Sequence, residues 1–99
     1  MISSMQIKSA VSRVFEMPLG VILGDSKNAE VVEARHTLLY LLVTAAGFHP
    51  NRAGRMVNRH RTLVNHVMKG VPGRLEVDGR FRIRFEAVCE ELKKEVSDV

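Results

Sequence analysis

A membrane-length apolar run, a second cysteine and a glycine-rich phosphate loop are all missing from this sequence of 99 residues, and each absence narrows what the chain can do. The longest apolar run, Leu38 to Val43 with alanines beyond it, is far short of the ~20 residues that a membrane span needs. The N-terminus lacks the pattern of a signal peptide. The single cysteine, Cys89, cannot form an internal disulfide; its apolar neighbours at helical spacing make it a small core residue rather than a nucleophile. A soluble, cytoplasmic protein with no membrane association is expected. No glycine-rich loop and no Ser, His and acid grouping with a local signature occurs, so no enzymatic activity is expected. The four histidines, His36, His49, His60 and His66, show no paired ligand spacing, and no carboxylate lies near the last two in sequence. Neither a metal, another cofactor nor a small-molecule substrate is expected. The length suits one domain over residues 1–99, with no room for an ATPase beside it, and there is neither an internal repeat nor a low-complexity segment.

Acidic residues are the next shortage, and it is local. The net charge is +4, and its distribution carries more than its sum. Residues 1–50 hold four basic and four acidic side chains, residues 51–70 hold five and none, and residues 71–99 hold six and seven. The whole excess therefore sits in PNRAGRMVNRHRTLVNHVMKG, residues 50–70. A solvated helix face ordinarily mixes Glu with Lys. A stretch with Arg52, Arg55, Arg59, Arg61 and Lys69 and no acid suits a polyanion, of which DNA or RNA is the usual one.

That stretch reads as a helix-turn-helix. Proline favours the first helical position, and Ala53, Met56 and Val57 return at helical spacing, so Pro50 opens a helix of about two turns. Asn58 tolerates turn geometry and ends it. A second helix is expected from about His60 to Lys69, with Gly70 as the residue that stops it. Turning it through ~100° per residue places Leu63, Val64, Val67 and Met68 on one side and Arg61, Thr62, Asn65, His66 and Lys69 on the other. The first set is core. The second fits base edges: Arg can fork onto guanine, Asn onto adenine, and a Thr methyl can meet the thymine methyl.

The flanking elements are helical too. Ser3 followed three residues later by Gln6 fits a capping box, and Ile7, Ala10, Val11, Val14 and Phe15 repeat at helical spacing, giving a helix from about Ser4 to Glu16. Pro18 disfavours helix at Met17, and Leu19, Ile22 and Leu23 add one further turn before Gly24. Asp25 to Asn28 form a polar connection. The longest helix is expected from about Ala29 to Ala46, apolar nearly all round at Leu38 to Val43, with Gly47 closing it. The pair Pro72-Gly73 reads as a turn. Leu75, Val77, Phe81, Ile83 and Phe85 alternate around Asp78-Gly79, a hairpin signal. Phe81, Phe85, Val88, Cys89 and Leu92 also fit a helix capped by Asp78, and the helix is preferred because its pattern runs on through Leu92. The fold class is then all-α, a small helical bundle.

With these elements in place, the order of motifs resembles the C-terminal DNA-binding domain of the bacterial chromosomal replication initiator DnaA. The matching stretches are ILGDSKNAEVVEARHTLLYLL, HPNRAGRMV and VNRHRTLVNHV, set against the family's basic loop and apolar helix, its Leu-Pro-x-x-Ile-Gly segment, and Gly-Gly-Arg-Asp-His-Thr-Thr-Val-Leu-His. Arg59, Thr62, Val64 and His66 coincide with the last of these. The closing DGRFRIRFEAV is similar to the family's Asp-Pro-x-Phe-Arg helix start. The resemblance implies a Trp-repressor-like helix-turn-helix that binds double-stranded DNA. Where the family has its base-reading Asp-His pair, this sequence has His60-Arg61, and the second Thr is Leu63, so a different base sequence should be read. Lys27 stands where the family's loop sends an arginine into the minor groove.

Lys27, Arg52, Arg55, Arg59, His60, Arg61, Thr62, Asn65, His66 and Lys69 are thus the expected DNA contacts, with Arg59 on a phosphate and His66 on a phosphate or base. The expected role is sequence-preferring binding in replication or transcription regulation, in a bacterial or phage setting, with another replication or regulatory protein as a further partner. The alternative is a protein adaptor that turns the same basic face to an acidic partner. Thr62 and Asn65 favour DNA, since an acidic protein surface has no need of base-matching residue types. RNA is disfavoured because Tyr40 and the four Phe all fall at core-like spacing, leaving no stacking platform.

Overall fold

The apolar stretch Leu38 to Val43 lies in the middle of α3 (Ala29–Thr44), the helix on which the others are assembled. The computed structural model describes residues 2–97. Before α3 come α1 (Ser4–Phe15) and the single-turn α2 (Leu19–Leu23); after it come α4 (Pro50–Met56), α5 (Arg61–Val77) and α6 (Gly79–Ser97). No strand occurs among the described residues. Leu38, Leu39, Leu41 and Leu42 are all buried, a burial around the helix that only an element enclosed on several sides can show. Helices α1, α2, α4 and α5 all pack on α3, and α6 closes the far side against α1 and α5. No helix of the described residues is long and apolar enough to cross a membrane.

Local signals set most of the boundaries. At the start of α1 the Gln6 backbone N–H donates to Ser3 Oγ at 3.2 Å while the Ser3 N–H donates to Gln6 Oε1 at 2.8 Å, so the capping box is complete. The helix ends at Phe15, one residue short of expectation, because Glu16 adopts a left-handed φ of 52° and caps it. Asn28 caps α3 by accepting from the Glu30 N–H at 2.9 Å. Asp78 opens α6, its Oδ1 accepting from the Phe81 N–H at 3.1 Å, which places the helix and not the hairpin over residues 79–97. That hydrogen bond, with the Arg74 guanidinium beside it, holds the Asp78 carboxyl below its ordinary range.

Two expectations fail at one place. Gly70 does not stop α5, and Pro72-Gly73 is not a turn: the helix runs through all three to Val77. Local propensity opposes this by about 1 kcal/mol for a glycine and about 3 kcal/mol for a proline in a helix interior. Packing supplies the opposite term. Val64, Val67 and Val71 are buried at i, i+3 and i+7, and Leu75 is packed against the same core one turn on. Each such side chain contributes roughly 1.5–3 kcal/mol when buried. Gly70, Pro72 and Gly73 all lie on the solvent side.

The same division gives a stability test. Val64 is 0% exposed, whereas Asn65 beside it is exposed. Val64→Ala is expected to cost roughly 1–3 kcal/mol as a buried aliphatic truncation, and Asn65→Ala no more than ~0.5 kcal/mol. Urea melts of the two variants check the orientation of α5; a larger loss for Asn65→Ala would show the helix turned the other way.

Candidate nucleic-acid interface

Helices α4 and α5 are joined by a four-residue turn, and one glycine sets how tightly they meet. The ring of His49 caps α4, its Nδ1 accepting from the Asn51 N–H at 3.2 Å, and Pro50 takes the first turn where its missing N–H costs nothing. Ala53 and Gly54 face inward while Asn51, Arg52 and Arg55 are exposed. The chain leaves through Val57, fully buried, and Asn58 at a left-handed φ of 58°. Its return brings the Arg59 N–H to the Gly54 carbonyl at 2.7 Å. A Cβ at position 54 would lie 2.6 Å from the Arg59 carbonyl oxygen and 3.2 Å from Val64 Cγ2, so only glycine allows this approach. Sequence reasoning did not single out Gly54. The available signal was a glycine inside a short helix, where alanine would be favoured unless space forbids it.

Helix α5 is capped by His60, which serves the fold before any ligand. Its Nδ1 accepts from the Thr62 N–H at 3.1 Å and lies 2.8 Å from Thr62 Oγ1. The Thr62 hydroxyl is thus turned to the capping ring. Beyond it Arg61, Asn65, His66 and Lys69 are exposed along the outer side of α5, and Val64 and Val67 are buried on the inner side. A shallow depression lined by Asn51, Arg55, Arg59, His60 and Arg61 joins the outer side of α4 to the first turn of α5. Arg52 lies next to it with its guanidinium 5.3 Å from the Phe48 ring centre. His66 borders a second groove, shared with His36, Arg74 and Phe81. Burial pushes the His36 pKa down, with the cations Arg74 and Arg35 adding to the effect.

Ion pairing separates these cations from the exposed arginines of the other helices, although Lys8 and Lys94 likewise have no carboxylate within 4.0 Å among the described residues. Arg13 pairs with Glu95 at 2.7 Å, Arg74 with Asp78 at 3.2 Å and Glu33 at 3.5 Å, Arg84 and Arg80 with Glu30 at 3.6 and 3.7 Å, Arg82 with Glu86 at 3.8 Å, and Lys93 with Glu90 at 3.4 Å. Among the described residues, no carboxylate comes within 4.0 Å of Lys27, Arg52, Arg55, Arg59, Arg61 or Lys69. The acid-free stretch of sequence is also acid-free in space.

Arg59 stands apart from the other members of this set. It is half-buried, and its guanidinium donates inward, to the carbonyl oxygens of Asn58 at 3.0 Å, Val57 at 3.3 Å and Leu23 at 3.5 Å, and to that of Gly24. Arg35, only 6% exposed, reaches the same segment from α3: its Nε donates to the Ile22 carbonyl at 2.8 Å and Nη2 to those of Gly24 at 2.8 Å and Ser26 at 3.2 Å. Burial and the nearby Arg59 charge both lower the Arg35 pKa, and Asp25 acts against them. Sequence reasoning missed Arg35. Nothing local distinguishes it from a surface arginine except its position in the most apolar helix. Lys27 is exposed on the loop that follows Gly24, which Arg35 reaches at Ser26.

The fold and this surface define a small all-helical bundle that presents the outer sides of two short-coupled helices as one basic, uncompensated face. No protein-family model matches the chain. It is 34% identical over 89 residues to the chromosomal replication initiator protein DnaA of Bacteroides fragilis, and 32% identical over 89 residues to that of Bacteroides thetaiotaomicron. Each match covers 89% of this chain and 19% of the relative. The chain spans about a fifth of the length of the curated relatives it matches. It is DnaA-like over most of its own length, and the share covered is consistent with the one C-terminal domain whose motifs its sequence carries.

Proposed function

We propose that residues 1–99 act as one helix-turn-helix domain that binds double-stranded DNA with sequence preference, laying α5 in the major groove with α4 across the backbone. One observation carries this reading: the cations of α4 and of the outer side of α5 have no carboxylate within 4.0 Å among the described residues, while the other surface arginines of the bundle do. Cations left uncompensated on one face are the electrostatic footprint of a phosphate-binding surface. Arg52, Arg55 and Lys69 hold phosphates, which fix register and carry no sequence information. Arg61, Thr62 and Asn65 meet base edges from the first turns of α5, the part of a recognition helix that lies deepest in the groove. His66 follows them as a phosphate or base contact, and Lys27 approaches from the α2–α3 loop. His60 contributes chiefly by capping α5.

The arrangement of aromatic rings supports duplex over single strands. Phe81 and Phe15 are buried, Tyr40 and Phe85, both half-buried, meet edge to face with centres 5.8 Å apart, and half-buried Phe48 lies under the Arg52 guanidinium, so no row of exposed rings is offered to unstacked bases. A DNA-binding protein of this kind serves replication or transcription regulation in the cytoplasm, without enzymatic activity of its own. Enrichment of random duplexes on the purified chain, followed by sequencing, tests the reading. A motif containing guanine is expected. Sequences that stay random through successive rounds would contradict sequence preference, and failure to retain any duplex would leave the adaptor on an acidic protein partner as the better account.

A further inference from the structure

We propose that Arg59 is a positioning residue, a clamp that locks the end of α2, from which the Asp25–Asn28 loop departs, to the α4–α5 turn so that Lys27 and Arg61 engage DNA as one rigid surface; this rests on the DNA-binding reading above. The last carbonyls of a helix lack partners within it. At the end of α2, five residues long, the carbonyls of Ile22, Leu23 and the capping Gly24 are taken by two guanidinium groups, with Arg35 on Ile22 and Gly24 and Arg59 on Leu23 and Gly24; Arg35 also reaches Ser26 in the loop. Arg59 itself belongs to the turn and also holds the turn's own Val57 and Asn58 carbonyls, which Arg35 does not touch. One side chain therefore joins segments that are 35 residues apart in sequence.

Only arginine suits this task. Its planar fork has five donors in fixed directions, enough for carbonyls on two sides at once, whereas a lysine ammonium is a point charge on a flexible stem. The loop is anchored at its other end as well: the Asn28 N–H donates to Ser26 Oγ at 3.2 Å, and the Asn28 side chain caps α3. Lys27 sits between the two anchors, exposed. A segment ordered before binding does not have to be ordered during it, so its cation contributes more of its interaction to affinity. Arg59 acts on DNA through Lys27, and its own hydrogen bonds are spent inside the fold.

The test is a double-mutant cycle on duplex DNA with Arg59→Lys, which keeps the charge and loses the fork, and Lys27→Ala. Lys27→Ala should weaken binding about fivefold in the parent chain and less than twofold in the Arg59→Lys background, the non-additivity expected of coupled residues. Losses that simply multiply would overturn the clamp and leave the DNA-binding reading standing; a parent chain that binds no duplex would overturn both. A purely structural role for Arg59 would lower stability without changing what Lys27 contributes. Hydrogen exchange without DNA gives a second readout: the amides of Gly24 and Asn28, bonded to the Val21 carbonyl and to Ser26 Oγ, should exchange about tenfold faster in Arg59→Lys while those of α1 and α6 keep their protection. Unchanged exchange at Gly24 and Asn28 would overturn the clamp. If Arg59→Lys does not fold, Arg59→Gln carries the same two measurements, and global unfolding of both would overturn a role confined to one loop.

Discussion

Replacing Arg61 with alanine is expected to flatten the preference for one guanine in the bound site while leaving the bundle folded. Arg61 is exposed and opens α5, so its truncation removes no core contact. A guanidinium in the first turn of a recognition helix can donate two parallel hydrogen bonds to the O6 and N7 of guanine. That fork is worth about 1–3 kcal/mol of discrimination, roughly 5- to 150-fold between guanine and its replacement. The competing role for Arg61 is a phosphate contact, since the amino end of a helix already favours an anion and one more cation there would add to it. The two roles part on a pair of duplexes, the preferred site and a copy with that guanine replaced. Under base readout, Arg61→Ala loses affinity for the preferred site only, and the parent chain's difference between the duplexes collapses. Under phosphate contact, the losses on both are equal. Arg55→Ala serves as the comparison, because a residue holding phosphate weakens binding to both duplexes alike.

What could be read from the sequence follows the range of the interactions involved. The Ser3 and Gln6 capping box, Asn58 at a left-handed φ and the Asp78 cap of α6 each depend on a few neighbouring residues. Their residue types announce them. The inner and outer sides of α5 followed from spacing alone, and Val64 and Val67 are buried as that spacing requires. The length of α5 was misread because every local signal at Gly70, Pro72 and Gly73 says stop. The term that overrides them, burial of Val71 and packing of Leu75 against neighbouring helices, is not local. Arg35, Gly54 and the inward turn of Arg59, which the sequence had put on a phosphate, were hidden for the same reason. An arginine's sequence neighbours do not say which carbonyl it will reach between 9 and 36 residues away, and a glycine's do not say what will press against it.

The salt dependence of duplex affinity is the measurement that bears most directly on the central claim, that the uncompensated cations of this face grip the phosphates of DNA. With Arg59 turned inward and Arg61 assigned to a base, Arg52, Arg55, Lys69 and Lys27 remain for the backbone, about four contacts. Each neutralised phosphate releases condensed counterions, so log K against log salt should fall with a slope of about −3.6. Between ~50 and ~200 mM salt the affinity should drop roughly 150-fold. Arg52→Ala, Arg55→Ala and Lys69→Ala should each make the slope shallower by about 1. Binding absent at ~50 mM, or an affinity indifferent to salt, would contradict the account.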